Sequence, residues 1–322
     1  MPSDLKTLTS LRFFAAFWVF LFHLRSRENF EPSWFLDFVS NGARGVDFFF
    51  ILSGFVILHV YDGEFSPRRF LTKRFARIYP LHAVVTLLFI AVAVMGANPV
   101  EGVWQSTFLL HAFSTTHGLV LNGPSWTLSA EMFAYLLFAL IPFRQTWVIA
   151  LACVVTFVGA HILSLSVGKT AFIHMTWDYG AFRIVPLFLL GMLLRRLTPH
   201  VSEPFAAAAG IVGLVLLGWV GTMQNAGYAI LAPFVMLIVS GARLSNSKIV
   251  TNRKVLVYLG EISYSIYMVH IFLIAIFFDY LPKFGIPTPH WFVISIALLA
   301  ASSVSYHLIE VPARRWINSH IR

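Results

Sequence analysis

An arginine and a histidine share one face of the first apolar segment, in a pattern that suits general-base chemistry. Arg12 and His23 are eleven residues apart, close to three helical turns, so both lie on one side of a helix, roughly 16 Å apart along its axis. Inserting an ionisable side chain into hydrocarbon costs about 2.5–3.5 kcal/mol, so such a residue is a candidate for a functional role. A positioned histidine can take a proton from a hydroxyl nucleophile. In the structural alternative, Arg12 snorkels to lipid headgroups and His23 ends the helix near the outer surface.

A carboxylate in a later apolar segment lies at a depth that suits a partner for this histidine. Glu131 follows Ser125 by six residues, which puts it roughly 9 Å inside the outer boundary, against roughly 14 Å for His23. A carboxylate beside an imidazole fixes its tautomer and stabilises the imidazolium. We therefore predict His23 as the catalytic base and Glu131 as its orienting partner. A structural ion pair of Glu131 with Arg183 or Arg44 is the competing interpretation.

The second apolar segment carries another carboxylate and a Ser-Gly pair. Asp47 has no ordinary packing explanation, because a carboxylate that faces lipid is costly. Ser53 and Gly54 are typical of close helix packing, which is the favoured interpretation of that pair. We also expect Asp47 and Ser53 near a substrate pocket.

Five cations stand within ten residues at the start of the third apolar segment: Arg68, Arg69, Lys73, Arg74 and Arg77. A positively charged cytosolic loop explains part of this cluster. Helical spacing places Lys73, Arg74 and Arg77 on adjoining turns, where they suit charge-assisted hydrogen bonds to phosphates. The cluster therefore predicts a site for a phosphate-bearing ligand.

Tyrosine and histidine recur in a segment near the C-terminus. Tyr264, Tyr267 and His270 either line a pocket or form a packed helix interface, and their spacing favours neither. Glu310, which precedes Pro312, is expected at a helix end on the cytosolic surface.

Membrane-spanning helices must position these residues. Hydrophobic residues make up 58 % of the 322 and charged residues only 11 %, against roughly 25 % charged in a typical soluble domain. Residues 103–113 are too few to span and suit a re-entrant or interfacial helix. We predict an all-α polytopic membrane protein of about ten helices, with candidate spans that begin near Leu8, Arg44, Ile78, Ser125, Trp147, Tyr179, Pro204, Gly227, Val255 and Trp291.

The distribution of charge predicts orientation. The net charge of +9 comes from cations between apolar runs, the pattern of membrane topogenesis rather than of nucleic-acid binding. With a cytosolic N-terminus, 17 of the 23 Lys and Arg lie inside, which predicts that both termini are cytosolic. The predicted outer set is Arg25, Arg27, Arg44, Lys169, Arg183 and Lys283.

Cysteine usage and loop length limit the other possibilities. The single Cys153 rules out a disulfide framework and a thiolate metal site, and no metal site is predicted. The N-terminal apolar stretch lacks a small-residue cleavage site and is expected to be a retained span. Because the loops are short, we expect residues 1–322 to form one integral-membrane domain without an appended soluble domain.

Five motifs together resemble the membrane-bound acyltransferase 3 family, and they cover essentially the whole chain. They are the Arg12–His23 spacing, GVDFFFILSGF, RFARIYP, PSWTLSAEMF and ISYSIYMVH. Members of that family O-acylate cell-surface polysaccharides, lipopolysaccharide, peptidoglycan, Nod factors and macrolide antibiotics.

The resemblance implies roles for particular residues. Arg12 and His23 would take part in acyl-CoA engagement and catalysis. Trp126 and Glu131 match the motif that the family carries in its fourth span. The acyl-CoA site is expected at Arg12, Lys73, Arg74, Arg77 and Tyr79. The acceptor pocket is expected at Asp47, Ser53, Trp126, Ser129, Tyr267 and His270.

The expected activity is transfer of an acyl group, acetyl above all, from cytosolic acyl-CoA to a carbohydrate hydroxyl at the bacterial inner membrane. Acyl-CoA is the donor substrate and no permanently bound cofactor is expected. The acceptor is a polysaccharide, a lipid-linked glycan or a glycolipid. Direct transfer and a covalent acyl-histidine intermediate both fit the residues. A proton-coupled transporter and a glycan flippase are the alternatives from other functional classes.

Overall fold

The computed structural model describes residues 5–28, 30–63, 65–96, 99–140, 145–245 and 253–320. It is 79 % helical, and the described ranges contain no β-strand. The predicted all-α fold is therefore confirmed. Arg144, Lys248 and Arg322, which the charge count assigns to the cytosol, lie outside the described residues.

The described ranges contain fourteen α-helices in two compact units. The first unit comprises residues 1–64, 143–174 and 183–263, and the second comprises residues 65–142, 175–182 and 264–322. In chain order the helices are α1 (Lys6–Leu24), α2 (Ser33–Ser40), α3 (Gly45–Tyr61), α4 (Pro67–Met95), α5 (Val103–Thr107), α6 (Trp126–Leu140), α7 (Thr146–Ser166), α8 (Gly180–Leu197), α9 (Glu203–Val220), α10 (Leu231–Arg243), α11 (Lys254–Glu261), α12 (Ser263–Ala275), α13 (Trp291–Ser305) and α14 (Val311–Ser319).

Seven helical stretches in the described ranges are long and apolar enough to cross a membrane, against the ten predicted spans. They are Lys6–Leu24, Ser33–Tyr61, Pro67–Met95, Thr146–Ser166, Glu203–Val220, Ser263–Phe284 and Trp291–Ser319.

The other three predicted spans are helical too. Helix α6 has 15 residues, α8 carries three arginines, and Gly227–Arg243 is a shorter apolar helix. Residues 103–113 form only the five-residue helix α5 followed by turns, which is too short to cross a bilayer. The side of the membrane on which the termini lie stays a prediction.

Close backbone contacts hold the first unit together around α1 and α3. A Cβ on Gly45 would stand 2.6 Å from the Ala15 carbonyl oxygen, so only glycine allows α3 to approach α1 this closely. A Cβ on Gly54 would stand 1.8 Å from the carbonyl oxygen of Phe188 in α8. The predicted packing role of Gly54 is thus confirmed.

In the second unit, α4 packs against α6 and α14. Ser66 caps the N-terminus of α4 by accepting the Arg69 backbone N–H, and Pro67 occupies the first helical position. The Tyr264 hydroxyl of α12 donates to the Ile78 carbonyl at 2.5 Å, two residues before Pro80, which lies inside the continuous helix α4. Tyr264 is therefore a packing residue between helices, one of its two predicted roles.

Candidate active site

His23 lies in the last turn of α1 and is partly buried. Its Nδ1 lies 2.9 Å from the Val19 carbonyl oxygen. Because a carbonyl only accepts hydrogen bonds, Nδ1 carries the proton, so in the neutral ring Nε2 carries the basic lone pair. Arg25 caps this helix end by donating to the Phe22 carbonyl, with its guanidinium 3.7 Å from the centroid of the Phe22 ring. The ring thus has the tautomer that a general base requires at Nε2.

Arg12 lies on the same continuous helix and is 8 % exposed. An unbroken α1 preserves the three-turn spacing, so Arg12 and His23 share a helix face as predicted. A Cβ on Gly260 of α11 would stand 1.8 Å from the Thr9 carbonyl oxygen, which shows how tightly α11 packs beside Arg12. The turn of α1 that precedes Arg12 is therefore held directly against α11.

Asp47 is fully buried and forms an ion pair with Arg183. The Nε and one terminal nitrogen of Arg183 each lie 2.8 Å from Oδ1 of Asp47. Arg44 is also within electrostatic reach of this carboxylate. Arg183 therefore pairs with Asp47, and not with Glu131 as in the competing interpretation of the sequence. A role of Asp47 and the half-buried Ser53 in binding an acceptor stays a prediction.

Glu131 lies in the second unit, one and a half turns into α6. It accepts a short hydrogen bond from the hydroxyl of Tyr135, one turn further along the same helix. The Arg74 guanidinium lies 5.9 Å from the centroid of the Tyr135 ring and 5.7 Å from that of Phe70, within cation–π range. The predicted carboxylate and the predicted basic motif therefore meet at Tyr135. The pairing of Glu131 with His23 stays a prediction.

The basic motif itself lies on the first three turns of α4. Arg68 and Arg69 are exposed, whereas Lys73, Arg74 and Arg77 are half-buried. A second aromatic contact follows, in which the ring of Tyr79 stacks on Phe75 with centroids 4.5 Å apart. The helical placement of the motif agrees with its predicted spacing, and its binding of acyl-CoA stays a prediction.

The remaining predicted pocket residues of the second unit are buried and hold the segment 108–125 in place. Ser129 Oγ donates to the Leu109 carbonyl at 2.5 Å and accepts the Ala112 N–H at 3.3 Å. The Tyr267 hydroxyl donates to the Pro124 carbonyl at 2.9 Å and accepts from Thr127 at 3.0 Å.

Trp126 and His270 complete this set. A Cβ on Gly180 would stand 2.6 Å from the indole of Trp126, and His270 Nδ1 lies 2.7 Å from the Tyr267 carbonyl oxygen. The structure gives these side chains positioning roles, and their contact with an acceptor stays a prediction.

Comparison with known proteins identifies the family of the chain. The profile of the family described as an acyltransferase domain, acyltransferase 3, matches residues 5–307. This chain belongs to the acyltransferase 3 family. It is therefore a multi-pass membrane protein and an acyltransferase.

Three relatives of the chain illustrate the family's range. Acyltransferase MdmB of Streptomyces mycarofaciens is 28 % identical, in an alignment that covers 84 % of this chain and 79 % of the relative. Exopolysaccharide production protein ExoZ of Rhizobium meliloti is 28 % identical, over 73 % of this chain and 77 % of the relative. Nodulation protein 10 of Rhizobium leguminosarum bv. viciae is 26 % identical, over 95 % of this chain and 92 % of the relative. No solved structure gives a significant match.

A pair of buried histidines in this acyltransferase was missed by sequence reasoning. The rings of His82 and His111 stack with centroids 6.2 Å apart, and His82 Nε2 lies 2.9 Å from the Ser106 carbonyl oxygen. His111 Nε2 accepts from Ser125 Oγ at 3.0 Å. Burial lowers the pKa of His111 to about 4. The signal in the sequence was a histidine inside the apolar run FLLHAF.

Glu310 lies at a helix end, as predicted, because it directly precedes α14. It is 7 % exposed and accepts a short hydrogen bond from Ser265 Oγ of α12. The prediction that it lies at the surface is therefore wrong, because a neighbouring helix covers it.

The segment 108–125 carries backbone strain. Leu109, Ser114 and Leu121 have positive φ angles of 55°, 59° and 51°, a strain that the hydrogen bonds of the segment must offset.

Proposed function

We propose that this protein is an O-acyltransferase that transfers an acyl group, acetyl above all, from cytosolic acyl-CoA to a hydroxyl of a cell-surface or exported carbohydrate. The observation that supports this proposal most directly is the hydrogen bond from His23 Nδ1 to the Val19 carbonyl, which leaves the lone pair of Nε2 to act as the base. The names of two relatives, an acyltransferase and an exopolysaccharide production protein, support the reaction class and a carbohydrate acceptor. The bacterial inner membrane is the proposed location.

The proposed reaction is general-base catalysis at His23. Nε2 removes the proton of the acceptor hydroxyl as its oxygen attacks the thioester carbonyl carbon. The C–S bond then breaks, and the imidazolium returns the proton to the departing thiolate of coenzyme A. A positioned general base contributes about 10²–10⁴-fold to such a reaction. An acyl-histidine formed on Nε2 uses the same lone pair, and it remains an alternative first step.

The basic motif is proposed to bind the phosphates of coenzyme A. Arg74 and Arg77 are one turn apart on α4, and guanidinium groups bind phosphate oxygens through two parallel N–H bonds. Arg12, in the first span of the protein, is proposed to contribute to donor binding as well. The long, narrow pantetheine arm suits delivery of the thioester to a membrane-embedded histidine while the nucleotide stays at the cytosolic surface.

Glu131 is proposed to act on His23 through its charge, with Tyr135 as its anchor. The Nδ1–H of His23 is already donated to the Val19 carbonyl, so the proposed role of the carboxylate is to stabilise the imidazolium that forms when Nε2 takes the proton. The hydrogen bond from the Tyr135 hydroxyl restrains the carboxylate to one rotamer. A restrained carboxylate stabilises that charge more effectively, because less conformational freedom is lost in the transition state. Arg74, beside the same tyrosine ring, would couple donor binding to this carboxylate.

A complementation experiment tests the proposal. A deletion strain is supplied with the wild-type gene, with His23→Gln, or with His117→Gln, which alters an exposed histidine of a loop. Mass spectrometry of the surface glycans reports the acyl mass and the sugar position. We expect acyl groups with the wild type and His117→Gln and their loss with His23→Gln, at equal membrane levels of all three proteins. Full acylation in the His23→Gln strain would remove histidine catalysis from the proposal.

A further inference from the structure

Arg44 presents a guanidinium without a carboxylate partner at one end of the first unit. One terminal nitrogen donates to the Ile173 carbonyl at 2.6 Å, and the other lies 3.0 Å from Nδ1 of His174. Within the described residues, no carboxylate forms an ion pair with Arg44 within 4.0 Å, although Asp47, which is paired with Arg183, acts on Arg44 at longer range. Each terminal nitrogen of a guanidinium carries two N–H groups, so one on each remains for a ligand.

Several cations surround His174, the imidazole beside Arg44. Arg44, Arg183 and Lys169 all act electrostatically on the ring of His174. These three cations disfavour a positive charge on the ring, so His174 is neutral at pH 7. Nδ1 and Nε2 of His174 lie 3.0 and 3.5 Å from the same terminal nitrogen of Arg44, so one ring nitrogen accepts from Arg44 and the other carries the proton. His174 is exposed, so its ring is reachable from solvent.

The chain builds this cluster next to the helix that carries His23. Arg44 ends a short 3₁₀ turn that begins at Gly42. A Cβ on Gly42 would stand 2.2 Å from the Trp18 carbonyl oxygen and 2.8 Å from Cβ of Phe22, the residue before His23. The turn therefore packs directly on the last two turns of α1, at the same end of the unit as the proposed base.

We propose that Arg44 and His174 form a binding site for an anionic group, a phosphate or a carboxylate, of the carbohydrate acceptor. A guanidinium fork with a neutral imidazole N–H donor matches the oxygens of such a group, and Lys169 adds long-range attraction. The inference rests on the proposed function, because it assigns the ligand to the acceptor. It narrows the acceptor to glycans that carry phosphate or uronic acid near the acylated hydroxyl.

Binding of a defined probe tests the site without acyl transfer. The purified full chain in phosphatidylcholine nanodiscs is titrated calorimetrically with α-glucose 1-phosphate, with methyl glucoside as the neutral control. We expect saturable binding of the phosphate alone, weakened about tenfold or more by Arg44→Gln and less by His174→Gln. Arg196→Gln, which alters an exposed arginine paired with Asp62, is the matched control and should bind as the wild type does.

Two results would overturn the site. Equal affinity for α-glucose 1-phosphate in the wild type, Arg44→Gln and His174→Gln would show that the cluster does not bind anions. Loss of that binding when phosphatidylglycerol replaces phosphatidylcholine in the discs would assign the site to a lipid headgroup instead. His174→Gln keeps the test valid if Arg44→Gln fails to fold, because His174 is exposed.

The acyl-transfer assay separates this inference from the proposed function. Failure of the proposed function would appear as absent acylation while α-glucose 1-phosphate still binds through Arg44. Failure of this inference alone would appear as normal acylation by the wild type with no effect of Arg44→Gln on the KM for acceptor.

Discussion

The buried ion pair of Asp47 and Arg183 gives the sharpest test of how the first unit is stabilised. The two side chains are 0 % and 3 % exposed, so removal of either partner leaves a charge that water cannot reach. Such an uncompensated buried charge typically costs about 3–5 kcal/mol, which corresponds to a fall in Tm on the order of 10 °C. We expect Asp47→Leu to cost more than Arg183→Met, because Arg44 still acts on Asp47 when Arg183 is gone.

The double variant carries the decisive information. Replacing both partners by apolar residues removes both buried charges, so Asp47→Leu with Arg183→Met should lose less stability than Asp47→Leu alone. Thermal unfolding of purified protein in one detergent, followed by tryptophan fluorescence, measures all four corners of the cycle.

The exposed pair of Asp62 and Arg196 serves as the control cycle. These side chains are 34 % and 27 % exposed, so their coupling should stay below about 1 kcal/mol. If the losses at Asp47 and Arg183 simply add, or are no larger than those at the control pair, the buried pair does not stabilise the unit as argued.

Three further outcomes are expected. Arg74→Gln should weaken binding of coenzyme A about 10- to 100-fold in calorimetry, whereas Arg68→Gln, an exposed change on the same helix, should not; equal effects would move the phosphate site elsewhere. Tyr135→Phe, which removes the hydrogen bond to Glu131, should lower turnover at saturating acyl-CoA by about tenfold and leave coenzyme A affinity intact; unchanged turnover would refute the anchoring role. The pKa of His111 is about 4 in the fold against 6.5 in a free histidine, so the unfolded chain is protonated first and the free energy of unfolding falls as the pH drops from about 6.5 to 4. His111→Gln should flatten this part of the curve of Tm against pH. An unchanged slope in that variant would contradict the assignment to His111.

Much of the architecture follows from composition and pattern. In lipid, every backbone polar group must be satisfied within the segment, so long apolar runs become helices wherever they occur. All ten predicted runs are helical, although only seven of the described stretches meet the length and charge limits for a span. The motif residues of the family are also readable from spacing, because Arg12 with His23 and Arg74 with Arg77 each lie on a single helix.

Contacts between residues one helical turn apart can also be predicted from the sequence. Tyr135 follows Glu131 by four residues, the separation at which helical side chains meet. The same spacing relates His23 to Val19, whose carbonyl fixes the tautomer of the ring. These features depend on helix geometry alone.

Partners that are distant in sequence were decided by the tertiary structure. Asp47 and Arg183 are 136 residues apart, and Arg44 and His174 are 130 apart, so no helical period relates them. From the sequence, Asp47 and Glu131 could each pair with Arg44 or with Arg183, and no pattern distinguishes these combinations. Charge pairing in a low-dielectric interior is set by which helices touch, and the close contact of Gly54 with Phe188 brings α3, which carries Asp47, against α8, which carries Arg183.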